Sequence, residues 1–457
     1  MACVLDERSF SWRVLLPAQS TFRLQHAPAE LSVFLARSVH PKGDVYLSWH
    51  ATDAALPSSS PAYALALVNP RRVSRRRLRQ LGFRHVRAFA ALPSFDDARW
   101  FIPIDSRRGA TRAWDLYPGF RADAVIRRAV AKTLSRTGAA RFAGDRVILA
   151  QRHVPPLERM VSEALGVRRL NVALASGTLG DRRKVTAQFT AGDSWPVAYA
   201  KCADGREAAA ASVRAETKLL DHVQALPLRS LSAPRVLARS VDSRFATLVS
   251  TPVSASPPPH RLCLTRLHLA ALADLASHSQ GRPMRDWLVA LNGRISQTPF
   301  ASCQHRQQQH QLFKRAVTAM ESVPDLSLLP TALSHGDFVP WNVRFDRRSG
   351  RLAVIDWENG HVERPLLWDA FHFLTQVQVL VRRKLNRSTV LALLSEIEQS
   401  ALARSFRLST SQLKALYLAY LVDSSLQMAD DRPCASDGHD WEAEARLLAL
   451  EILLPGT

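Results

Sequence analysis

The sequence predicts an α+β protein with two lobes, a small antiparallel β lobe containing one helix and a larger, mostly helical lobe, preceded by an α/β accessory domain. Three observations support this. Residues 151–252 contain short β-branched runs separated by Gly/Asp turns, the chain beyond 262 has mostly helical periodicity, and prolines at 257–259 separate the two. At 457 residues two or three domains are expected, and we predict 1–150, 151–252 and 253–457.

The first third is predicted to be a basic α/β domain whose function the sequence does not indicate. Residues 77–105 have the pattern of a helix, a Gly-Phe turn, a strand, a loop and a second strand. Residues 1–150 hold 24 Lys and Arg against 11 Asp and Glu, a large part of the net charge of +21. The arginine cluster at 71–80 is explained either as a solvated helix face or as a contact with a polyanion or an anionic membrane surface.

The remaining composition excludes several protein classes. There is no run of about 18 apolar residues and no signal-peptide pattern at the start, so we expect neither a membrane span nor secretion. The five cysteines are scattered without CxxC spacing, which argues against a disulfide framework or a structural zinc site and indicates a cytoplasmic protein. No basic strands with interleaved aromatics and no recognition helix are evident, so no specific nucleic acid partner is expected.

The β lobe is predicted from five apolar runs and one helical segment. "LNVALASGT", "KVTAQFTAG" and "PVAYAKCA" have the pattern of three consecutive strands, and the Ala- and Leu-rich segment 206–226 has helical spacing. "PRVLARSV" and "RFATLVSTPV" predict two further strands. The result is a small antiparallel sheet with a helix inserted after its third strand.

The larger lobe is predicted from four helical segments and one hairpin. The helical segments are "LTRLHLAALADLASHS", "QQHQLFKRAVTAMESV", "STVLALLSEIEQSALARSF" and "SQLKALYLAYLVDSSLQMA". Between the second and third lies a loop followed by a hairpin with strands "NVRF" and "LAVIDW" and the turn "DRRSG".

That loop and hairpin, residues 333–360, concentrate His335, Asp337, Asn342 and Asp356 in one short segment. An Asp, an Asn five positions later, and a hairpin that ends in a second Asp are the layout of a phosphoryl-transfer site. The first Asp can accept the proton of an attacking hydroxyl, and the other two side chains offer hard oxygen ligands suited to Mg²⁺. A turn whose polar side chains only cap the backbone would explain each residue singly, but not the spacing.

The same segment resembles the aminoglycoside phosphotransferase and choline kinase-like family, a branch of the protein-kinase fold, over roughly residues 160–450. The family's His-Gly-Asp-x-x-x-x-Asn loop is matched by His335, Gly336, Asp337 and Asn342. Its Ile-Asp-Trp strand end is matched by Ile355, Asp356 and Trp357. "RPLLWDAFHFL" is similar to a further family motif in which Asp369 is an N-cap or a buried structural acid.

The resemblance implies a bilobal protein-kinase-like fold and a small-molecule phosphotransferase. Such an enzyme uses Mg²⁺ and ATP or GTP to move the γ-phosphate to a hydroxyl of an acceptor. Asp337 is then the catalytic residue, and Asn342 and Asp356 hold the metal. Lys201, near the end of the third predicted strand, takes the place of the family's phosphate lysine, and Glu216 in the following helix is its expected partner.

Two further stretches are candidates for nucleotide contacts. The loop between the first two strands of the β lobe can approach phosphates through small and hydroxylated residues, although a hairpin loop needs no function. These residues are Ser176, Gly177, Thr178 and Gly180. The segment "LVSTPV" is the expected hinge, with backbone groups near Ser250 and Thr251 facing an adenine.

The acceptor is not determined by the sequence. A charge of +21 repels polycations such as aminoglycosides at long range and favours a neutral or anionic acceptor. An acidic patch at 423–445 provides an amine site or only a solvated helix and loop. The candidate acceptors are a sugar, a polyol, an amino alcohol and an aminoglycoside-like molecule. Two alternatives to an enzyme remain, a catalytically silent kinase fold that binds nucleotide, and a protein that binds an anionic polymer or membrane surface through its first third.

Overall fold

The computed structural model divides the chain into two compact units. The first is Met1–Thr217 with Arg235–Pro252, and the second is Lys218–Pro234 with Val253–Thr457. The residues that the structure describes are 15, 22–25, 45–53, 56, 63–95, 97–116, 122–177, 180–192, 195–203, 205–241, 245–253, 262–278, 281–298, 304–431 and 441–454.

A mixed sheet is the scaffold of the first unit. Its strands are β1 (Phe22–Gln25), β2 (Val45–Trp49), β3 (Ala64–Val68), β4 (His85–Leu92), β5 (Trp100–Pro103), β6 (Asp145–Gln151), β7 (Leu170–Ser176), β8 (Val185–Ala191), β9 (Pro196–Cys202), β11 (Val236–Ser240) and β12 (Thr247–Ser250). Strand β10 (Leu231–Ser232) belongs to the second unit. Across the sheet they are ordered β1-β2-β3-β6-β4-β5-β7-β8-β9-β12-β11. The pairs β1–β2 and β2–β3 are parallel, and the other pairs are antiparallel.

Within the described residues of this unit, the α-helices that begin are α1 (Arg75–Gln80), α2 (Arg107–Ala113), α3 (Ala122–Thr137), α4 (Pro156–Leu165) and α5 (Glu207–Gln224). Helix α1 begins after Ser74, whose hydroxyl accepts a hydrogen bond from the Arg77 amide at 3.1 Å, as expected of an N-cap. The predicted order of helix, turn, strand, loop and strand at 77–105 is confirmed by α1, β4 and β5.

The sheet continues across residue 150. Strand β5 pairs with β7, with Trp100 opposite Ala175 and Phe101 opposite Leu174. Phe89 and Phe101 meet edge to face with ring centroids 6.4 Å apart, in a buried cluster that also contains residues of β7 to β9. Residues before and after 150 therefore share a sheet and a core, and the division into three domains stays a prediction.

The elements predicted for residues 151–252 are confirmed in kind and order. Strands β7, β8 and β9 follow one another as antiparallel neighbours, helix α5 comes next in the chain, and β11 and β12 complete the series. Strand β9 lies between β8 and β12, so both of its edges are paired.

The second unit contains a small β framework and most of the helices. Its further strands are β13 (Thr331–Ser334), β14 (Val343–Asp346), β15 (Arg351–Val354) and β16 (His361–Pro365). Its helices are α6 (Arg266–Ser277), α7 (Met284–Gln297), α8 (Gln304–Glu321), α9 (Trp368–Gln376), α10 (Arg387–Glu398), α11 (Ala401–Ser405), α12 (Thr410–Asp431) and α13 (Trp441–Leu453). Strands β14 and β15 form the predicted hairpin, β10 adds parallel to β15, and β13 pairs with β16.

The predicted helical segments of this unit are present, with one difference. The segment 388–406, predicted as one helix, is divided into α10 and α11 because Ser400 caps the second of them, accepting a hydrogen bond from the Ala403 amide at 3.1 Å. The α+β architecture is thus confirmed. Within the described part of the chain, no helix combines the length and apolar composition required to cross a membrane.

Candidate active site

The candidate catalytic loop follows strand β13 and begins with a residue that only glycine can occupy. Gly336 has φ of 80°, and a Cβ atom there would lie 1.9 Å from the carbonyl oxygen of Asn359. A side chain at this position would therefore clash with the backbone at Asn359, and the residue would have to adopt a φ that is unfavourable for any residue other than glycine. The tight approach brings the loop against the segment that follows β15.

Asp369 fixes the start of this loop. Its two carboxylate oxygens accept hydrogen bonds from the backbone amides of His335 (2.7 Å) and Gly336 (2.9 Å). The side chain is buried, with 5% of the residue exposed. Leu367 precedes helix α9 as its N-cap, so of the two predicted roles Asp369 has that of the buried structural acid.

His335 is held as a neutral ring by two opposite hydrogen bonds. Its Nε2 lies 3.0 Å from the carbonyl oxygen of Ile355, which only accepts, and its Nδ1 accepts from the Asp337 amide at 3.2 Å. These partners require a proton on Nε2 and none on Nδ1. Complete burial lowers the pKa of His335 below 6.5, although Asp369, Asp337 and Asp356 act in the opposite direction.

The lowered pKa predicts that acid weakens the fold around this loop. Because the folded-state pKa of His335 is depressed, its contribution to stability is present above the unfolded pKa of 6.5 and is lost as pH falls. A second ring proton would face the Asp337 amide proton. We expect the fall in unfolding midpoint between about pH 7.5 and about pH 5.5 to be smaller in His335→Gln than in the parent. His278→Gln, at a histidine whose side chain is 23% exposed, should match the parent, and equal falls in all three proteins would contradict the prediction.

Asp337 is held through both carboxylate oxygens. Asn342 donates from Nδ2 to Asp337 Oδ2 at 2.8 Å and to the Asp337 carbonyl at 3.0 Å. His372 Nε2 lies 3.0 Å from Asp337 Oδ1. The Asp337 side chain is 27% exposed, so its carboxylate is accessible as well as fixed. Because Asn342 uses its nitrogen on Asp337, its oxygen Oδ1 is the atom suited to a cation.

Asp356 follows strand β15 in the left-handed backbone region, with φ of 72°. The preceding residue, Ile355, donates its amide to the Asn342 carbonyl at 3.0 Å. This bond joins the backbones that carry the two predicted metal ligands. The buried Trp357 anchors the next position, with Nε1 bonded to the Val354 carbonyl at 2.9 Å. A carboxylate and a carboxamide oxygen are hard ligands, so this donor set fits Mg²⁺.

The first unit contains the predicted lysine–glutamate pair. Lys201 Nζ lies 2.7 Å and 2.6 Å from the two carboxylate oxygens of Glu216. The Glu216 side chain is 4% exposed and that of Lys201 20%. Strand β9 and helix α5 position the two residues. The predicted contact between Lys201 and Glu216 is therefore present.

The loop between β7 and β8 is held by two arginines that sequence reasoning did not single out. Arg183 donates from Nε to the Ser176 hydroxyl at 2.7 Å, and Arg206 donates to the Gly180 carbonyl at 2.8 Å. The Gly177 amide is bonded to the Lys184 carbonyl at 2.9 Å, so it already has an acceptor within the hairpin. Gly180 has φ of 143°, and Thr178 lies outside the described residues.

The predicted hinge residues are part of regular backbone pairing. Ser250 is opposite Tyr199 of β9 and Val236 of β11. The Thr251 amide donates to the Arg235 carbonyl at 2.8 Å, and its hydroxyl accepts from the Arg235 amide at 2.9 Å. The Thr251 amide is therefore occupied, and an adenine contact here would need other backbone groups.

The acidic patch predicted at 423–445 includes a carboxylate that does not face solvent. Asp423 is 4% exposed and is bonded to Arg294 at 2.6 Å and to Trp368 Nε1 at 3.1 Å. Arg364 lies 3.6 Å from its second oxygen. Its charge is thus matched within the unit and is not available as a simple amine site. Residues 432–440 of the patch lie outside the described residues.

A cavity of about 340 Å³ is lined in part by Asp423, Arg294 and Arg364. Basic and acidic side chains balance in its lining: Arg282, Arg294 and Arg364 against Asp286, Glu363 and Asp423. Arg364 connects the cavity with the catalytic loop, because a Cβ on Gly336 would lie 2.8 Å from its guanidinium. Burial lowers the pKa of Arg364, while Asp423 raises it.

His372, Tyr420 and Arg364 were missed by sequence reasoning. A signal was available for Arg364 and His372, because both lie in the segment "RPLLWDAFHFL". His372 also follows Asp369 by three positions and so shares a helix face with it. Tyr420 carries no local pattern, because it reaches the site from α12.

A family model named Phosphotransferase enzyme family matches residues 189–378. The predicted family resemblance is confirmed over these residues. The matched residues include Lys201 and Glu216 in the first unit and the loop with Asp337, Asn342 and Asp356 in the second. The match ends at residue 378, two positions after α9, so it also includes His372.

Several solved structures are similar to this chain at low sequence identity. They include the GDP complex of wild-type aminoglycoside 2'-phosphotransferase-IIIa, with 10% identity, 65% of this chain and 97% of that chain covered, and a TM-score of 0.42. ADP-bound aminoglycoside phosphotransferase APH(2'')-Ib is 14% identical, with 65% of this chain and 98% of that chain covered and a TM-score of 0.41. A putative fructosamine-3-kinase from Haemophilus somnus 129PT is 9% identical, with 65% of this chain and 96% of that chain covered and a TM-score of 0.40. A search of curated proteins returned no similar sequence.

Proposed function

We propose that the protein transfers the γ-phosphoryl group of ATP or GTP to a hydroxyl of a small-molecule acceptor. The observation that carries the proposal is the geometry of Asp337, whose carboxylate is accessible and held at one oxygen by Asn342. This arrangement lies in the segment that matches a phosphotransferase family. A carboxylate positioned in this way accepts and aligns a hydroxyl, which is the protein's main task in phosphoryl transfer.

Asp337 is the proposed acceptor of the substrate proton. Each carboxylate oxygen receives one hydrogen bond from the protein and retains a further lone pair, which suffices to orient an incoming hydroxyl. As the oxygen attacks phosphorus, its proton moves to Asp337. The buried carboxylate of Asp369 holds the start of the loop through the amides of His335 and Gly336.

Asn342 and Asp356 are the proposed ligands of Mg²⁺. Their oxygens are hard ligands, the type that Mg²⁺ prefers. The hydrogen bond from the Ile355 amide to the Asn342 carbonyl keeps their backbones together. When bound, the ion neutralises developing negative charge on the phosphates.

Lys201 is the proposed phosphate contact of the first unit, held by Glu216. Lys201→Ala removes a point charge, so we expect the dissociation constant for nucleotide to rise about 10- to 100-fold, the usual value of one charged hydrogen bond. The substitution also leaves the buried Glu216 carboxylate without its cation, which destabilises the fold. Isothermal titration should therefore compare Lys201→Ala with the double variant Lys201→Ala/Glu216→Gln, which restores stability without restoring affinity. Lys132→Ala is the control, because Lys132 is also paired with a carboxylate, that of Asp115, at 2.6 Å. Parental affinity in the double variant would contradict the prediction.

The cavity beside Arg364 is the proposed acceptor site. Its volume of about 340 Å³ falls in the range of small-molecule pockets, roughly 300–1,000 Å³. The balanced lining, with Asp423 already matched by Arg294, does not select a polycation. A hydroxylated neutral or zwitterionic molecule, such as a sugar, a polyol or an amino alcohol, suits this lining best.

The function is tested by transfer of label from γ-labelled ATP and GTP to a panel of sugars, polyols, amino alcohols and aminoglycosides, with and without Mg²⁺. Product formation that requires Mg²⁺ and Asp337 supports the proposal. Tight nucleotide binding without transfer to any acceptor would instead identify the catalytically silent alternative. Binding only to anionic polymer or lipid would identify the third candidate function.

A further inference from the structure

We propose that His372 is a positioning residue for Asp337, fixing the orientation of the carboxylate that the reaction requires. The inference rests on the proposed function and adds to it a residue outside the loop and hairpin motifs. His372 lies in helix α9, 35 positions from Asp337, and its Nε2 is 3.0 Å from Asp337 Oδ1.

The partners of His372 define the positions of its protons. An ionised carboxylate only accepts, so Nε2 carries the proton and donates it to Asp337. The Tyr420 hydroxyl lies 3.3 Å from Nδ1 and can donate to it. Burial raises the pKa of Tyr420, which keeps this hydroxyl protonated. The ring is therefore a hydrogen-bond donor directed at the carboxylate.

The surrounding aromatic residues hold the His372 ring in place. It stacks on Trp368, with centroids 4.9 Å apart and an interplanar angle of 15°, and Tyr420 meets it edge-on at 5.8 Å. Trp368 is itself fixed by the bond from its Nε1 to Asp423. His372 is 6% exposed and its helix is buried throughout. A ring packed in this way has little freedom to leave Asp337.

Together, His372 and Asn342 hold the two oxygens of one carboxylate from different elements. Asn342 alone would restrain Oδ2 and leave the group free to rotate about χ2. The second bond at Oδ1 blocks that rotation. Since a displacement of about 1 Å at a reacting group can cost about 100-fold in rate, a residue that prevents it affects turnover more than binding.

The same aromatic group connects the acceptor cavity with the catalytic carboxylate. Arg364 lines the cavity and its guanidinium lies over the Trp368 ring at 4.0 Å. Trp368 in turn stacks on His372. The side chains that contact an acceptor and the side chain that orients Asp337 are thus packed as one group.

The test compares His372→Phe, which keeps the stacked ring but removes the donor, with His372→Gln, whose amide nitrogen can replace Nε2–H. We expect His372→Phe to lower kcat about 10- to 100-fold while KM for nucleotide and acceptor changes less than about threefold. His372→Gln should recover most of kcat. His278→Gln is the matched control, and unfolding midpoints of all variants establish that they fold.

Parental kcat in His372→Phe, or equal loss in folded His372→Phe and His372→Gln, would overturn the inference while leaving the proposed function intact. A parent that transfers phosphate to no acceptor would refute the proposed function instead. In that case NMR of the histidine ring nitrogens still tests the contact between His372 and Asp337. The ring-nitrogen signal that disappears in His372→Gln should shift in Asp337→Ala, and an unmoved signal overturns the inference.

Discussion

Replacing Asp337 by Asn is expected to leave Mg–nucleotide binding within about threefold of the parent while lowering the transfer rate by about 10²- to 10⁴-fold, the usual value of general-base assistance. The variant keeps the size of the side chain but cannot accept the substrate proton. It also disturbs the site, because Asp337 accepts hydrogen bonds at both oxygens, from Asn342 and from His372. The amide group of Asn has one acceptor oxygen, so its NH₂ must face one of these donors.

Binding and turnover of Asp337→Asn are to be measured on one preparation, by calorimetry and by transfer of labelled phosphate. Asp346→Asn, at the start of the exposed turn between β14 and β15 where Asp346 accepts from the Ser349 hydroxyl at 2.8 Å, is the control and should behave as the parent. Near-parental turnover in Asp337→Asn would place the chemistry elsewhere in the molecule. Loss of both binding and turnover would indicate misfolding, which the unfolding midpoint detects.

Replacing Asp356 is expected to have the second large effect. Asp356 has φ of 72°, a conformation that Asn adopts more readily than Ala, so Asp356→Asn tests the charge with little backbone strain. Removing the charged oxygen ligand should lower turnover on the order of 10³-fold or more. The dependence of nucleotide affinity on Mg²⁺ should decrease as well.

Nucleotide titrations with and without Mg²⁺ measure this effect. Asp325→Asn is a matched control, because Asp325 is an exposed aspartate that also has positive φ, 58°. It should retain the parental dependence on Mg²⁺. Unchanged turnover in Asp356→Asn would remove Asp356 from the proposed metal site. Asp356→Ala would then show whether the side chain at this position contributes to turnover at all.

The sequence by itself was sufficient for the elements and contacts that depend on local spacing. The alternation in 170–202 predicted β7, β8 and β9, and the hairpin of β14 and β15 followed from two short apolar runs around "DRRSG". Asp337 and Asn342 are five positions apart, within one loop, and their hydrogen bond needs no distant residue. The contact of Lys201 with Glu216 is similarly short in sequence, one strand followed by one helix.

Only the tertiary structure determined which distant residues complete the site and which charges remain available. Asp369 holds the loop from 33 and 34 positions away, and His372 reaches Asp337 from 35. Asp423 looked like part of a solvated acidic patch, yet Arg294 binds it from 129 positions away. Packing between α7, α9, α12 and the loop creates these contacts, and no periodicity within one segment encodes how it packs against another. For the same reason the sheet that continues across residue 150 was not predicted, since strand pairing between β5 and β7 depends on edges meeting in space.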